Sequence, residues 1–240
     1  MNTALAAAAS LVALAFAANT LDRWLRRRRP HEAAWTVSLA LFALGSLALW
    51  WAEADGWSLG AFRVFYLAGA VLNVPWLALG TVYLLAGQQV GDRVRSWLVL
   101  LSGLSVGVIL FAPTKAAVHG GELPTGKDVF GVAPRVLAAV GSGVAAVVII
   151  AGALWSAWRV VRGQSPSLGG ARQVTAPRQL AVGNVLIAAG TLILSASGTL
   201  AGRLGKDRAF AVSLLVGIVV LFSGFLVAST HPRRAVRPTP

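Results

Sequence analysis

Apolar residues fall in runs too long for strands, and charges or turn signals separate those runs. Seven such runs cover residues 3–21, 33–52, 62–86, 96–114, 136–158, 180–201 and 209–229. At 1.5 Å of rise per residue, about 20 apolar residues carry a helix across a hydrocarbon layer of about 30 Å. The pattern therefore predicts an all-α membrane protein, a seven-transmembrane-helix bundle forming one polytopic domain over residues 1–240. Composition supports this: 57% of residues are apolar, 12% are charged and the mean hydropathy is +0.73. Soluble domains carry about a quarter charged residues. A water-soluble globule is excluded, and the connectors leave too few residues for a second domain of ordinary size.

The first run resembles a secretory signal only at Ala15-Phe16-Ala17, a small-residue step. Its leader Met1-Asn2-Thr3 has no base, and the cluster Arg23, Arg26, Arg27, Arg28 and Arg29 follows the apolar run instead of preceding it. An uncleaved first helix is expected, with its N-terminus outside and the C-terminus of the chain cytoplasmic. On that orientation fourteen of the 21 basic side chains lie inside, and the inner and outer segments carry net charges of +11 and +2. This asymmetry follows the positive-inside tendency of a bacterial cytoplasmic (inner) membrane. Trp24, Trp35, Trp97, Trp155 and Trp158 fall near inner boundaries and Trp50, Trp51 and Trp57 near an outer one, as an interfacial belt requires. Only Trp76 sits in mid-span.

A net charge of +13 would suggest nucleic acid in a soluble protein. In this chain the inner arginines account for it, with anionic inner-leaflet lipids as their partners. There is no cysteine, so thiol, disulfide and iron–sulfur chemistry are excluded. The middle of each span lacks Asp, Glu, His and Lys, and His31, His119 and His231 lie in connectors or the tail. This pattern offers neither a proton relay nor haem ligands. Seven spans with an outside N-terminus resemble microbial rhodopsins in topology, but residues 209–229 contain no lysine for a retinal Schiff base. Gly141-Ser142-Gly143 looks like a nucleophile motif with no histidine base, and is read as a close-packing step. His119-Gly120-Gly121-Glu122 with Asp128 reads as a soluble turn rather than a metal site. No catalytic residue, cofactor or metal is expected.

Polar residues at depth concentrate on two spans. On the third, Arg63, Tyr66, Asn73 and Thr81 share one stripe, and Pro75 kinks the helix beside Asn73 and Trp76. On the sixth, Asn184, Thr191, Ser195, Gly198 and Gly202 share a face. Gly103 and Gly107 on the fourth repeat the close-packing spacing of Gly198 and Gly202. The leading expectation is a non-enzymatic protein that binds or moves a small neutral or amphipathic ligand in a cavity between the third and sixth spans. Asn73, Asn184, Thr191 and Ser195 would hydrogen-bond the ligand, Tyr66 and Trp76 would wall it, and Arg63 would attract an anionic headgroup at the outer mouth. The rival is an accessory or scaffold subunit contacting a membrane partner or a second copy of itself. A lipid-modifying enzyme would have to use Asp22, His31, Glu32 or Asp92; capping and headgroup contact explain His31 and Glu32 without catalysis.

Overall fold

The computed structural model describes residues 2–118, 123–162, 167–168, 172–173, 177–204 and 207–229. His119 to Glu122, the stretches Gln164-Ser165-Pro166 and Gly169-Gly170, and the arginines of the tail lie outside them, and the surroundings of Gly198 and Gly202 are likewise not described. The fold is nearly all helical. Its long helices are α1 (Asn2–Arg27), α2 (Pro30–Asp55), α3 (Leu59–Ala86), α4 (Gln88–Phe111), α5 (Val132–Val161), α6 (Pro177–Leu204) and α7 (Asp207–Ser229). The first five contain segments long and apolar enough to cross a membrane; the described apolar parts of the last two, Ala181–Ala196 and Val212–Val227, are shorter. Between α5 and α6, Ser167–Leu168 and Arg172–Gln173 pair as short antiparallel strands.

Helix ends differ from the apolar runs because flanking polar residues continue the backbone hydrogen-bond ladder. α1 carries Arg23, Arg26 and Arg27 on its last turns, and α2 starts at Pro30, where the missing N–H costs nothing. Gly56 and Gly87 end α2 and α3 with φ of 93° and 84°, a region open to glycine. Gly87 alone joins α3 to α4, so those helices form a tight hairpin.

Six helices form a closed ring. α1 packs on α2, α2 on α3, α3 on α5, α5 on α6, α6 on α7, and α7 returns to α1, where Phe16 stacks on Phe222. α4 lies outside this ring against α3, burying only Gly91, Leu98, Ser105 and Ile109. The ring interior is one apolar core to which every ring helix contributes, among them Ala13, Leu39, Leu77, Ile149, Ile187 and Ile218. A second core, built on Phe62, Ile109 and Phe130, lies at the other end of α3. There the connector after α4 folds back: Lys115 N–H donates to the Val129 carbonyl at 2.9 Å, and Phe130 stacks on Phe62.

The α1–α2 hairpin is stitched by polar contacts at three depths. Ser10 Oγ donates to the Ala43 carbonyl at 3.1 Å, Thr36 Oγ1 lies 3.0 Å from Thr20 Oγ1, and Arg23 Nη2 lies 3.0 Å from Glu32 Oε1. Glu32 corrects the expectation of capping and headgroup contact: its side chain is 0% exposed and its partner is Arg23. Continuing α1 through Arg27 brings Arg23 level with the first turn of α2, so the carboxylate has a cation within the fold. The tryptophan belt is also corrected in part. Trp97, Trp155 and Trp158 are exposed near the arginine-rich end, whereas Trp35 is 1% exposed and Trp57 is buried among Phe62 and Phe65.

Candidate functional site

α3 departs from α-helical winding where its polar stripe lies. Residues Tyr66–Leu72 form a π-helical segment, ending three residues before Pro75. A proline ring clashes with the carbonyl four residues earlier, here Val71, and a wider turn relieves that clash. The neighbouring helices supply hydroxyls to the loosened backbone. Ser142 Oγ on α5 donates to the Ala70 carbonyl at 2.5 Å, and Ser38 Oγ on α2 lies 3.1 Å from the Asn73 carbonyl and 2.7 Å from Asn73 Oδ1. Gly141 fits beside Val71 and Pro75; a Cβ there would meet the Val71 carbonyl at 3.7 Å. Gly141-Ser142 is thus a packing step whose hydroxyl closes a gap in the facing helix.

The residues singled out on the third and sixth spans do not form one surface. Arg63 Nη2 donates to the Ala112 carbonyl at 2.9 Å, and Tyr66 lies against Phe62, Phe130 and Gly126, so both hold the connector at the outer core. Asn73 is buried with Ser38, and Trp76 Nε1 donates to Ser102 Oγ on α4 at 3.2 Å. Thr191 Oγ1 donates to the Ile187 carbonyl of its own helix at 2.8 Å, and Ser195 is exposed. α3 and α6 each pack on α5 rather than extensively on one another.

Asn184 differs from the rest. It is 3% exposed, and its Nδ2 has no hydrogen-bond partner. Among the described residues, Trp35 Nε1 on α2, Thr81 Oγ1 on α3 and Ser156 Oγ on α5 are likewise buried without a partner, as are Arg23 Nε and Glu32 Oε2 of the α1–α2 ion pair and Arg63 Nε. Contacts of their sequence neighbours link Trp35, Thr81, Ser156 and Asn184 in a chain around the ring. The Trp35 indole lies against Gly80, where a Cβ would be 2.0 Å from Nε1, and Thr81 is the next residue. Thr81 Cγ2 would be 3.0 Å from a Cβ on Gly152, one turn before Ser156. On the other flank Trp35 stacks on Phe225 of α7 at 4.4 Å, and neighbouring Gly224 abuts the backbone of Gly183, next to Asn184.

A buried polar group without a partner costs about 1–3 kcal/mol, so the Asn184, Trp35, Thr81 and Ser156 atoms are costly to bury as they stand. Of the four, only Asn184 was singled out as a site residue. Thr81 was visible on the polar stripe of α3. Trp35 looked interfacial because it lies near a helix start, and a lone serine such as Ser156 gives no signal in an apolar run. Among the described residues no group of three or more His, Asp or Glu is placed to hold a metal. Comparison with protein-family models, curated proteins and solved structures finds no match for this chain.

Proposed function

We propose that this chain is a seven-span protein of a bacterial cytoplasmic membrane, N-terminus outside and C-terminus cytoplasmic, that binds or moves a small neutral or amphipathic ligand inside its helical ring. The observation that carries this reading is that Asn184, Trp35, Thr81 and Ser156 each bury a polar atom without a partner, because a polar ligand would supply the hydrogen bonds that the protein leaves unmade. It shifts the site from the cavity first expected between α3 and α6 to the arginine-rich end of the ring, on α2, α3, α5 and α6. The arginines around that end, including Arg27, Arg93, Arg95 and Arg178, suit the anionic lipids of the inner leaflet.

Orientation is testable directly, since the chain has no cysteine to remove. Single cysteines at Asp55 and at Arg95 are expected to react with a membrane-impermeant maleimide from opposite faces, Asp55 from outside. Labelling of both from one side would defeat the seven-span arrangement. For the ligand, native mass spectrometry of gently purified protein is expected to show a co-purifying small molecule whose occupancy falls severalfold in Asn184→Ala. Unchanged occupancy would defeat the placement of the site.

A second reading, an accessory subunit of a membrane complex, is favoured by one observation on α4. A Cβ on Gly103 or Gly107 would meet nothing within 4 Å, and Trp97, Leu100 and Phe111 point away from the fold. This reading differs from the first in what accompanies the purified chain, a stoichiometric protein in place of a small molecule.

A further inference from the structure

The outlying helix α4 changes neighbours along its length. At the outer end its Ile109 belongs to the same core as Leu137 and Ala138 of α5. Toward the arginine-rich end its Leu98 packs with Leu79 and Tyr83 of α3 and with Ala34 of α2, and no α5 residue joins them. Gly91 permits that approach, since a Cβ there would lie 2.2 Å from Tyr83 Cδ1. α4 thus crosses α3 obliquely, leaning on α5 outside and toward α2 inside, and the gap between α4 and α5 widens toward the arginine-rich end.

Helical faces place two tryptophans on this gap. Around α5, Ile149 and Ala153 face the ring interior, and Gly141 and Gly152 abut α3. The next side round, outside the ring, carries Leu137 and, eighteen residues or about five turns later, Trp155. Leu137 is partly covered by the outer core, whereas Trp155 is 55% exposed. On α4, Trp97 lies about three turns before Val108; Val108 is half-buried and Trp97 is 69% exposed. Because α4 and α5 run antiparallel, the right-handed winding of both helices turns these two flanks toward each other. Val82 of α3 floors the gap, half-buried and midway round between Tyr83, which faces α4, and Leu85, which faces α5.

Both walls carry arginines at one level. Arg93 precedes Trp97 by four residues and Arg159 follows Trp155 by four, about 6 Å along each helix axis. Arg162 lies over the Trp158 ring, 4.0 Å from its centroid, and Trp158 is 5.2 Å from Trp155. A guanidinium stacked in this way keeps its in-plane N–H groups for an anion. α5 has no acid, and the one acid of α4, Asp92, already accepts from Tyr83 Oη at 2.8 Å and pairs with Arg95 at 3.5 Å. The gap therefore holds an excess of positive charge above an apolar cleft. We propose that it binds one anionic diacyl phospholipid, with the phosphate between Arg93 on one wall and Arg159 and Arg162 on the other. The indole N–H groups of Trp97 and Trp155 then lie at the level of the esters, and the acyl chains run past exposed Leu101 and Val147. This site is apart from the ring interior, and its test does not depend on the ligand proposed there.

The full chain, delipidated in maltoside micelles, is titrated with dioleoyl phosphatidylglycerol or dioleoyl phosphatidylcholine, which share their chains and differ in net charge. First adducts are counted by native mass spectrometry. The anionic lipid is expected to bind about tenfold more tightly than the zwitterion, and Arg159→Gln with Arg162→Gln to abolish most of that difference. Arg93→Gln, on the opposite wall, is expected to weaken anionic binding about three- to fivefold. Arg93 is exposed, so this variant is expected to melt like the parent, and its weaker binding cannot be put down to misfolding. Arg26→Gln with Arg27→Gln removes the same charge from α1, across the ring from α5, and is expected to leave binding within about twofold. Equal weakening by the α1 pair would mean diffuse attraction to the arginine-rich end and would overturn the site. Equal binding of the two lipids, or anionic binding unmoved by both Arg93→Gln and the Arg159–Arg162 pair of substitutions, would overturn it too.

Discussion

Gly224→Ala is expected to push α6 and α7 apart and to lower stability by about 1–3 kcal/mol, at or beyond the usual cost of overpacking. A Cβ on Gly224 would lie 2.7 Å from both the Gly183 carbonyl oxygen and the Ile187 nitrogen, and 2.8 Å from Ile187 Cγ1. Two of these atoms are backbone and cannot swing aside by changing a rotamer, so a whole helix must shift. Phe225, the next residue, would move with it and loosen its stack on Trp35. Gly103→Ala is the matched control. Its Cβ meets nothing within 4 Å, so only helix propensity acts, favouring alanine by up to about 1 kcal/mol. Thermal unfolding in detergent, followed by circular dichroism, should separate the two variants clearly. Equal melting temperatures would mean that α6 and α7 do not approach as closely as described.

Arg23→Ala is expected to cost about 3–5 kcal/mol, because it strands the fully buried Glu32 carboxylate. The Arg23 side chain is itself only 17% exposed, so water compensates poorly for its loss. Replacing both partners, as Arg23→Leu with Glu32→Leu, is expected to recover most of the loss, since it removes the charge that needed pairing. Arg26→Ala breaks the exposed contact with Asp22 and should have no measurable effect. A denaturant titration of these variants checks the order. If Arg23→Ala behaves like Arg26→Ala, the pair is solvated rather than buried.

Much of this architecture could be read from apolar run length, which needs no knowledge of tertiary contacts. What could not be read depends on which helices meet. Glu32 looked superficial because it follows Arg29-Pro30; its burial arises from Arg23, nine residues away and visible as a partner only once α1 is seen to continue through Arg27. Trp35 was placed in the interfacial belt on distance from a helix end alone, yet its face of α2 turns inward onto Gly80 and Phe225. Pro75 announced a disturbance in α3, but the form it takes, a π-helical segment flanked by Ser38 and Ser142, depends on hydroxyls 35 and 72 residues distant. The polar stripe of α3 was legible as a stripe. Its division between Ala112, which Arg63 finds, and Ser38, which Asn73 finds, was not, because a helical wheel shows which residues share a face and not which partner each one finds.

The closure of α7 onto α1 has a consequence for biogenesis. Because α1 and α7 share a seam, the ring cannot shut until α7 has packed. Until then Phe16 lacks its stacking partner Phe222, and Trp35 lacks Phe225. Until α7 packs, the other five ring helices form an open crescent with α4 outside it, the stage at which insertion chaperones and quality-control proteases would have most to recognise.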